Sequence, residues 1–186
     1  WSFIKTLPYF RKAETDTDIK DDFHGFDGPI PVRRHKKETW LPAQVAFHQS
    51  CLTEGYPEDP DMNHPESGGI GPIPMNNPEG VRMSTSLTYL NPVRNRLNLT
   101  VRSGVNVRCI LFQGKKAVGV EVESGEEVFV VEAEDLILCG GAVGSPQLLL
   151  LSGVGPADVL NGLGIPIVLE APGVGQNLFN HMSAQV

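Results

Sequence analysis

A short apolar run, Glu134–Cys139 (EDLILC), passes directly into Gly140-Gly141-Ala142-Val143-Gly144-Ser145-Pro146 and then Gln147–Leu151. Without polar alternation, and bounded by acids on one side and glycines on the other, the run predicts a strand buried on both faces, the pattern of a parallel sheet. Ser145 followed by Pro146 predicts a helix start, with the serine as cap and the proline in the first turn. Ser152-Gly153-Val154-Gly155-Pro156 ends that helix. Glycines after a strand let bare main chain lie close to a ligand, and a helix N-terminus offers unpaired N–H groups to an anion. The spacing is Gly-Gly-x-x-Gly rather than Gly-x-Gly-x-x-Gly, and no acid ends a second strand about 20 residues on. Alone, this unit favours close packing of helix on strand over a dinucleotide site.

The segments before it change that balance. Leu97–Arg102, Val107–Phe112, Ala117–Val122 and Glu127–Val131 are rich in Val, Leu and Ile and predict four strands. Gln113-Gly114-Lys115-Lys116 and Ser124-Gly125-Glu126 are hairpin-type connections, so a three-stranded antiparallel meander is expected. Further upstream, residues 1–14 carry apolar side chains at helical steps interrupted by Pro8, predicting a short broken helix with one buried face. DTDIKDD reads as an exposed acidic loop, and Arg33-Arg34-His35-Lys36-Lys37 as a solvated edge. Thr39–Glu54 fits an amphipathic helix closed by Gly55, and Met83–Leu90 a short one. Tyr56–Pro78 is almost pure loop, a length that usually belongs to a binding surface or lid.

Composition excludes several functions. Hydrophobic residues make up 40% of the 186 and charged residues 20%, enough for a core and too apolar for intrinsic disorder. The net charge of -7 argues against a nucleic-acid or anionic-membrane surface. No apolar stretch approaches the roughly 18 residues of a transmembrane helix. The three cysteines, Cys51, Cys109 and Cys139, have neither disulfide-framework nor zinc spacing, and Cys109 and Cys139 read as small buried hydrophobes. The chain starts at Trp1 rather than Met and reads as a piece of something longer, with a cytoplasmic setting expected or, through an electron acceptor, the membrane periphery.

Gly141–Gly155 (GAVGSPQLLLLSGVG) resembles the second signature of the glucose–methanol–choline (GMC) oxidoreductases, and other segments agree in that family's order. Trp1 with LPYFRKAE resembles the helix leading out of its flavin-attachment region. FHGFDGPIPV resembles its His-Gly-x-x-Gly-Pro segment; DPDMN, GVRMSTSLTYLNP and LNLTVRSGVNVRCILFQGKKAVGVEV follow. PGVGQNLFNH resembles its Val-Gly-x-Asn-Leu-x-Asp-His stretch, with Asn180 where Asp is usual. The resemblance covers nearly the whole chain and is nearest to choline-dehydrogenase-like enzymes.

The fold class it implies is mixed α/β: part of an FAD-binding Rossmann-like domain with an antiparallel meander, plus part of a substrate-binding cap. Residues 1–94 would belong mainly to the cap, 95–160 to the FAD domain, and 161–186 would lead back toward the substrate side. The implied function is oxidation of the CH–OH group of a small alcohol by hydride transfer to FAD. Alternatives are a redox-neutral cyanohydrin lyase of the same family and a non-catalytic ligand- or partner-binding domain, with a nicotinamide enzyme less well supported.

Val107 matches the position whose main chain brackets the adenine edge, against a reading as an ordinary core valine. Gly140, Gly141 and Ala142 match the turn near FAD. Ser145 is equally well a helix cap, and Asn177 and His181 match the later stretch, where a structural role competes. The family's N-terminal Gly-x-Gly-x-x-Gly does not occur here, and none of the five histidines fits its C-terminal catalytic slot, so no catalytic residue is nominated and no metal is expected. Expressed alone, the segment is expected neither to hold FAD tightly nor to turn over, and its unpaired strand edges to favour aggregation.

Overall fold

The computed structural model describes residues 1–180. The chain divides into two compact units, Trp1–Thr100 and Val101–Val186.

In the first unit, helix α1 (Phe3–Ala13) runs without a break through Pro8 and buries none of its residues. The proline removes one N–H donor, but the turns before and after it close normally. Strand β1 (Glu14–Asp16) pairs in parallel with β2 (Ile30–Val32), Glu14 opposite Ile30. The His-Gly-x-x-Gly-Pro segment lies between them, and its glycines are steric necessities. A Cβ on Gly28 would stand 2.5 Å from the Ala13 carbonyl carbon and 2.6 Å from the Glu14 oxygen, which instead accepts the Gly28 N–H at 2.9 Å. Helix α2 (Pro42–Thr53) starts on a proline, where a missing N–H costs nothing. The following segment has no helix or named strand, yet it is pinned: Asp59 N–H donates to Ile70 C=O at 3.0 Å and Ile70 N–H to Pro57 C=O at 2.9 Å. Ser86–Leu90 forms a single π-type turn inside the expected 83–90 helix.

In the second unit, strands β3 (Asn106–Gln113), β4 (Lys116–Ser124) and β5 (Glu127–Glu132) form the expected meander, in the order β3-β4-β5. Gly114 and Gly125, both at φ 62, supply the left-handed residue that tight hairpins need. Helix α3 (Gly141–Leu151) follows, then β6 (Val154–Gly155), α4 (Ala157–Gly162) and β7 (Leu169–Glu170), with β6 and β7 parallel. The four buried hydrophobic side chains among the described residues, Ile110, Val122, Val154 and Leu160, all lie in this unit. The buried side chains of the first unit are polar: Asp16, His24, Arg34, His48, Asp61 and Thr88.

Besides the unbroken, unburied α1, other expectations need correction. Glu134–Cys139 forms no strand among the described residues, and Ile137 is 85% exposed. A strand buried on both faces needs neighbours, and the described residues offer it none. Cys139, expected to be buried, is exposed for the same reason, and Cys109, also expected to be buried, is only half-buried. Leu97–Arg102 is irregular rather than a strand, and Arg102 sits over the Phe129 ring at 5.1 Å. Ser145 does not cap α3: the helix begins four residues earlier, with Gly140 at the cap position.

Candidate functional site

The early start of α3 changes what the glycine turn can offer. Gly141 has φ 77, and a Cβ there would meet nothing within 4 Å; the glycine is required by backbone conformation, not by crowding. Gly140 is the reverse case, its would-be Cβ 3.0 Å from Ser145 N and 3.1 Å from the Gly144 carbonyl carbon. Ser145 Oγ accepts the Gly140 N–H at 3.0 Å, folding the turn back on the helix. The next N–H groups belong to the first helical turn, which has no intrahelical acceptors for them. Pro146 lies four residues after Ala142 and has no N–H to give the Ala142 carbonyl. The turn therefore presents main-chain donors and a main-chain acceptor together.

Across from it lies the 175–179 loop. Gly175 at φ 76 and Asn177 at φ 56 bend this loop toward α3, where a Cβ on Gly175 would be 3.6 Å from Leu150 Cδ1. Ala142, Val143 and Pro146 face Asn177, Leu178 and Phe179 around an open cavity of about 720 Å³, within the size range of cofactor sites. The structure thus brings Ala142 and Asn177 to one cavity. His181 lies outside the described residues.

Val107 sits on β3, an edge strand of the meander. The pairing jumps from Val107↔Val122 to Cys109↔Glu121, leaving Arg108 as a one-residue bulge. Further along, Ile110 turns its N–H away from β4, to Ser152 Oγ at 2.8 Å. In an unbroken ladder, residues three apart point their main-chain groups to opposite sides. The bulge resets that phase, so Val107 turns its N–H and C=O to the open edge. The side chain is 39% exposed, which does not suit the reading as an ordinary core valine. Ser152, buried and also donating to Leu148 C=O at 2.5 Å, ties α3 to the strand that carries Val107.

The first unit holds a second constellation, which sequence reasoning missed. Arg34, taken as part of a solvated edge, is buried and grips Asp16 with Nη1 at 3.0 and 2.8 Å and Asp61 with Nη2 at 2.7 Å. Asp16, taken as part of an exposed acidic loop, is 2% exposed. His24 places Nε2 2.8 Å from Asp61 Oδ2 and Nδ1 3.0 Å from Glu14 Oε1 and 3.3 Å from Asp16 Oδ2. Burial works against the charge on Asp16, but N–H groups of Ile19 and Asp18 and the Arg34 guanidinium outweigh it and lower its pKa. Burial likewise opposes charge on Asp61, and hydrogen bonds from His24, Asn63 N–H and Arg34 bring its pKa down. Nothing local in the sequence pairs residues 8 to 37 positions apart.

A hairpin meander, a glycine turn at a helix N-terminus and a cavity beside it belong to a mixed α/β architecture. The chain belongs to the GMC oxidoreductase family, whose sequence profile matches residues 1–183. It is 45% identical over 181 residues to an uncharacterized GMC-type oxidoreductase of Rhodococcus erythropolis, covering 97% of this chain and 37% of that protein. An oxygen-dependent choline dehydrogenase of Pectobacterium carotovorum is 42% identical over 187 residues, 98% of this chain and 33% of the relative. Among solved structures, an FAD-dependent oxidoreductase from Chaetomium thermophilum superposes with a TM-score of 0.87 at 30% identity, covering 95% of this chain and 33% of that one. The chain therefore spans about a third of the length of these relatives. The mixed α/β class and the Rossmann-like FAD-binding architecture implied by the sequence stand, and FAD is the cofactor of the family. No helix among the described residues is long and apolar enough to cross a membrane.

Proposed function

We propose that this chain is the central part of an FAD-dependent oxidoreductase that oxidises the CH–OH group of a small alcohol, with residues 95–160 in its FAD-binding part and residues 1–94 mainly in its substrate-side part. The observation that carries this reading is the Gly140–Ala142 turn, whose last residue, Ala142, lines the same cavity as Asn177. The residues suit such a guest. Their polar offer is neutral, main chain at a helix N-terminus and the side-chain amides of Gln147, Gln176 and Asn177 among apolar walls, and no acidic side chain lines the cavity. FAD, when bound, supplies the hydride acceptor. Gly141 and Ala142 would present N–H groups to it, Val107 would bracket the adenine edge with its outward N–H and C=O, and Ser145 would hold the turn in shape. None of these residues carries a basic side chain to accept the proton of the alcohol hydroxyl.

The test is anaerobic mixing of the full-length flavoprotein with choline and a panel of small primary alcohols. Bleaching of the flavin band by at least one of them is expected. A flavin that stays oxidised while a cyanohydrin is cleaved would replace the alcohol oxidation with the lyase reaction, and a full-length protein that carries no flavin would overturn the reading.

A further inference from the structure

The first unit is closed by charge rather than by hydrocarbon, since its buried side chains are polar. At the centre stands His24, 2% exposed, and both of its ring nitrogens face carboxylate oxygens. An ionised carboxylate only accepts hydrogen bonds, and a neutral imidazole has one N–H and one lone pair. A neutral His24 would therefore turn a lone pair toward either Glu14 and Asp16 or Asp61. Only the doubly protonated ring satisfies both sides. The same geometry disfavours a cation: Asp21, His24 and Asp61 each bring one atom within 4.8 Å of the others, but the imidazole nitrogens are already spent on carboxylates.

The charged neighbours come from every side. β1 contributes Glu14 and Asp16, and Arg34 follows β2. The long segment contributes Asp61, and His24's own loop contributes Asp21, whose Oδ1 accepts the Phe23 and His24 N–H groups at 2.8 and 3.2 Å. From α1, Arg11 Nε donates to the His24 carbonyl at 3.2 Å. Nearby, His64 stacks edge-on against Phe23, with centroids 4.9 Å apart. Immediately around the ring, three carboxylates face one guanidinium. Without the imidazolium this buried set carries an added unbalanced negative charge, an arrangement that burial makes costly.

We propose that His24 is held as an imidazolium and acts as a charge latch, fastening the 57–70 segment to β1, so that loss of its proton on the alkaline side frees that segment. Asp61 is the catch, since it binds both His24 and Arg34. The segment then runs to Ile70, which lines a cavity of about 550 Å³ with Trp40, Phe47 and His48, so the latch holds one wall of that cavity. Burial opposes the charge on His24, but hydrogen bonds to Asp61 and Glu14 and the charges of Asp61 and Asp16 more than offset it, raising its pKa above 6.5. A raised folded pKa means the stabilisation is complete below the ordinary imidazole value and is lost as pH rises through the folded one.

The test uses the full-length protein. Ring-nitrogen NMR of histidine-labelled protein, followed from about pH 5 to about pH 9, should show His24 still carrying both protons above the ordinary imidazole value of about 6.5. Amide hydrogen exchange over residues 57–70, corrected for its intrinsic pH dependence, should rise about tenfold on the alkaline side. In D61N the step should move to lower pH, because a carboxylate that favours the charged ring has gone. H24Q should exchange fast already at neutral pH and show no alkaline step. A His24 that loses its proton at or below the ordinary imidazole value of about 6.5, or a step that persists unchanged in D61N, would overturn the latch. The wild-type titration decides the matter even if H24Q does not fold.

Discussion

Replacing Ser152 with alanine removes a hydroxyl of less than two heavy atoms' reach from its partners, yet its effect should be large and local. In the wild type the Ile110 N–H donates to Ser152 Oγ at 2.8 Å, and both residues are buried, at 6% and 8% exposure. In S152A that amide faces a methyl group with no acceptor in reach on the β3 edge. An unsatisfied buried donor costs about 1–3 kcal/mol, which corresponds to a fall of roughly 5- to 150-fold in the protection of that amide. The lost Ser152–Leu148 bond adds little, because the Leu148 carbonyl also accepts the Ser152 N–H at 3.1 Å. The assay is native-state hydrogen exchange of the full-length protein, read at Ile110. S152T retains a hydroxyl able to bond backward along a helix and should restore most of the protection. Protection at Ile110 within twofold of wild type in S152A would refute the reasoning, as would an S152T variant as poor as S152A. Because the same hydroxyl ties α3 to the strand bearing Val107, flavin affinity should fall in parallel.

Three further outcomes test other parts of the structure. V107P deletes an N–H that points to the open edge, where proline is tolerated; the meander should survive while flavin binding weakens by one hydrogen bond, about 2- to 10-fold, in a fluorescence titration. G141A and G144A should move stability in opposite directions, although neither new Cβ meets an atom within 4 Å. Gly141 at φ 77 should lose about 1–2 kcal/mol, whereas Gly144 inside α3 should gain about 0.5–1 kcal/mol, both read from the melting midpoint of the apoprotein. Asp16 and Asp61 have pKa values lowered from 3.8, so their stabilisation is present above that value and lost as pH falls through the depressed folded values. Acid release of the first unit, followed by Trp40 emission, should therefore begin below about pH 4 in wild type, and D16N should loosen it already at neutral pH.

What could be read from the sequence follows from the range of the forces involved. The meander was legible because hairpins are local: Gly114 and Gly125 sit where tight turns need a left-handed residue, and the flanking strands alternate. The glycine turn was legible as a place, but the start of α3 was not. Ser145-Pro146 makes a good N-terminal signal, but the helix is already under way when the chain reaches it. The backbone instead turns at Gly141, and Ser145 reaches back to Gly140 from inside the helix. Glu134–Cys139 was misread in the other direction: its composition describes the burial a strand would have beside neighbours that the described residues do not supply.

The first unit was the least legible part, for an electrostatic reason. Charged residues were assigned to solvent, the sound default for an isolated charge because desolvation is expensive. That default fails when charges are bought back in sets. Asp16, His24, Arg34 and Asp61 are each costly to bury alone, and no local pattern reveals that they meet. Once they do, removing any one strands the others, which is why such a set behaves as a unit. The glycines at 25 and 28 were its one visible trace: they let the His24 segment press against β1 closely enough for the ring to lie between carboxylates. A short His-Gly-x-x-Gly motif beside an acidic stretch and a distant Asp is thus better read as a candidate buried ion cluster than as a turn next to a solvated loop.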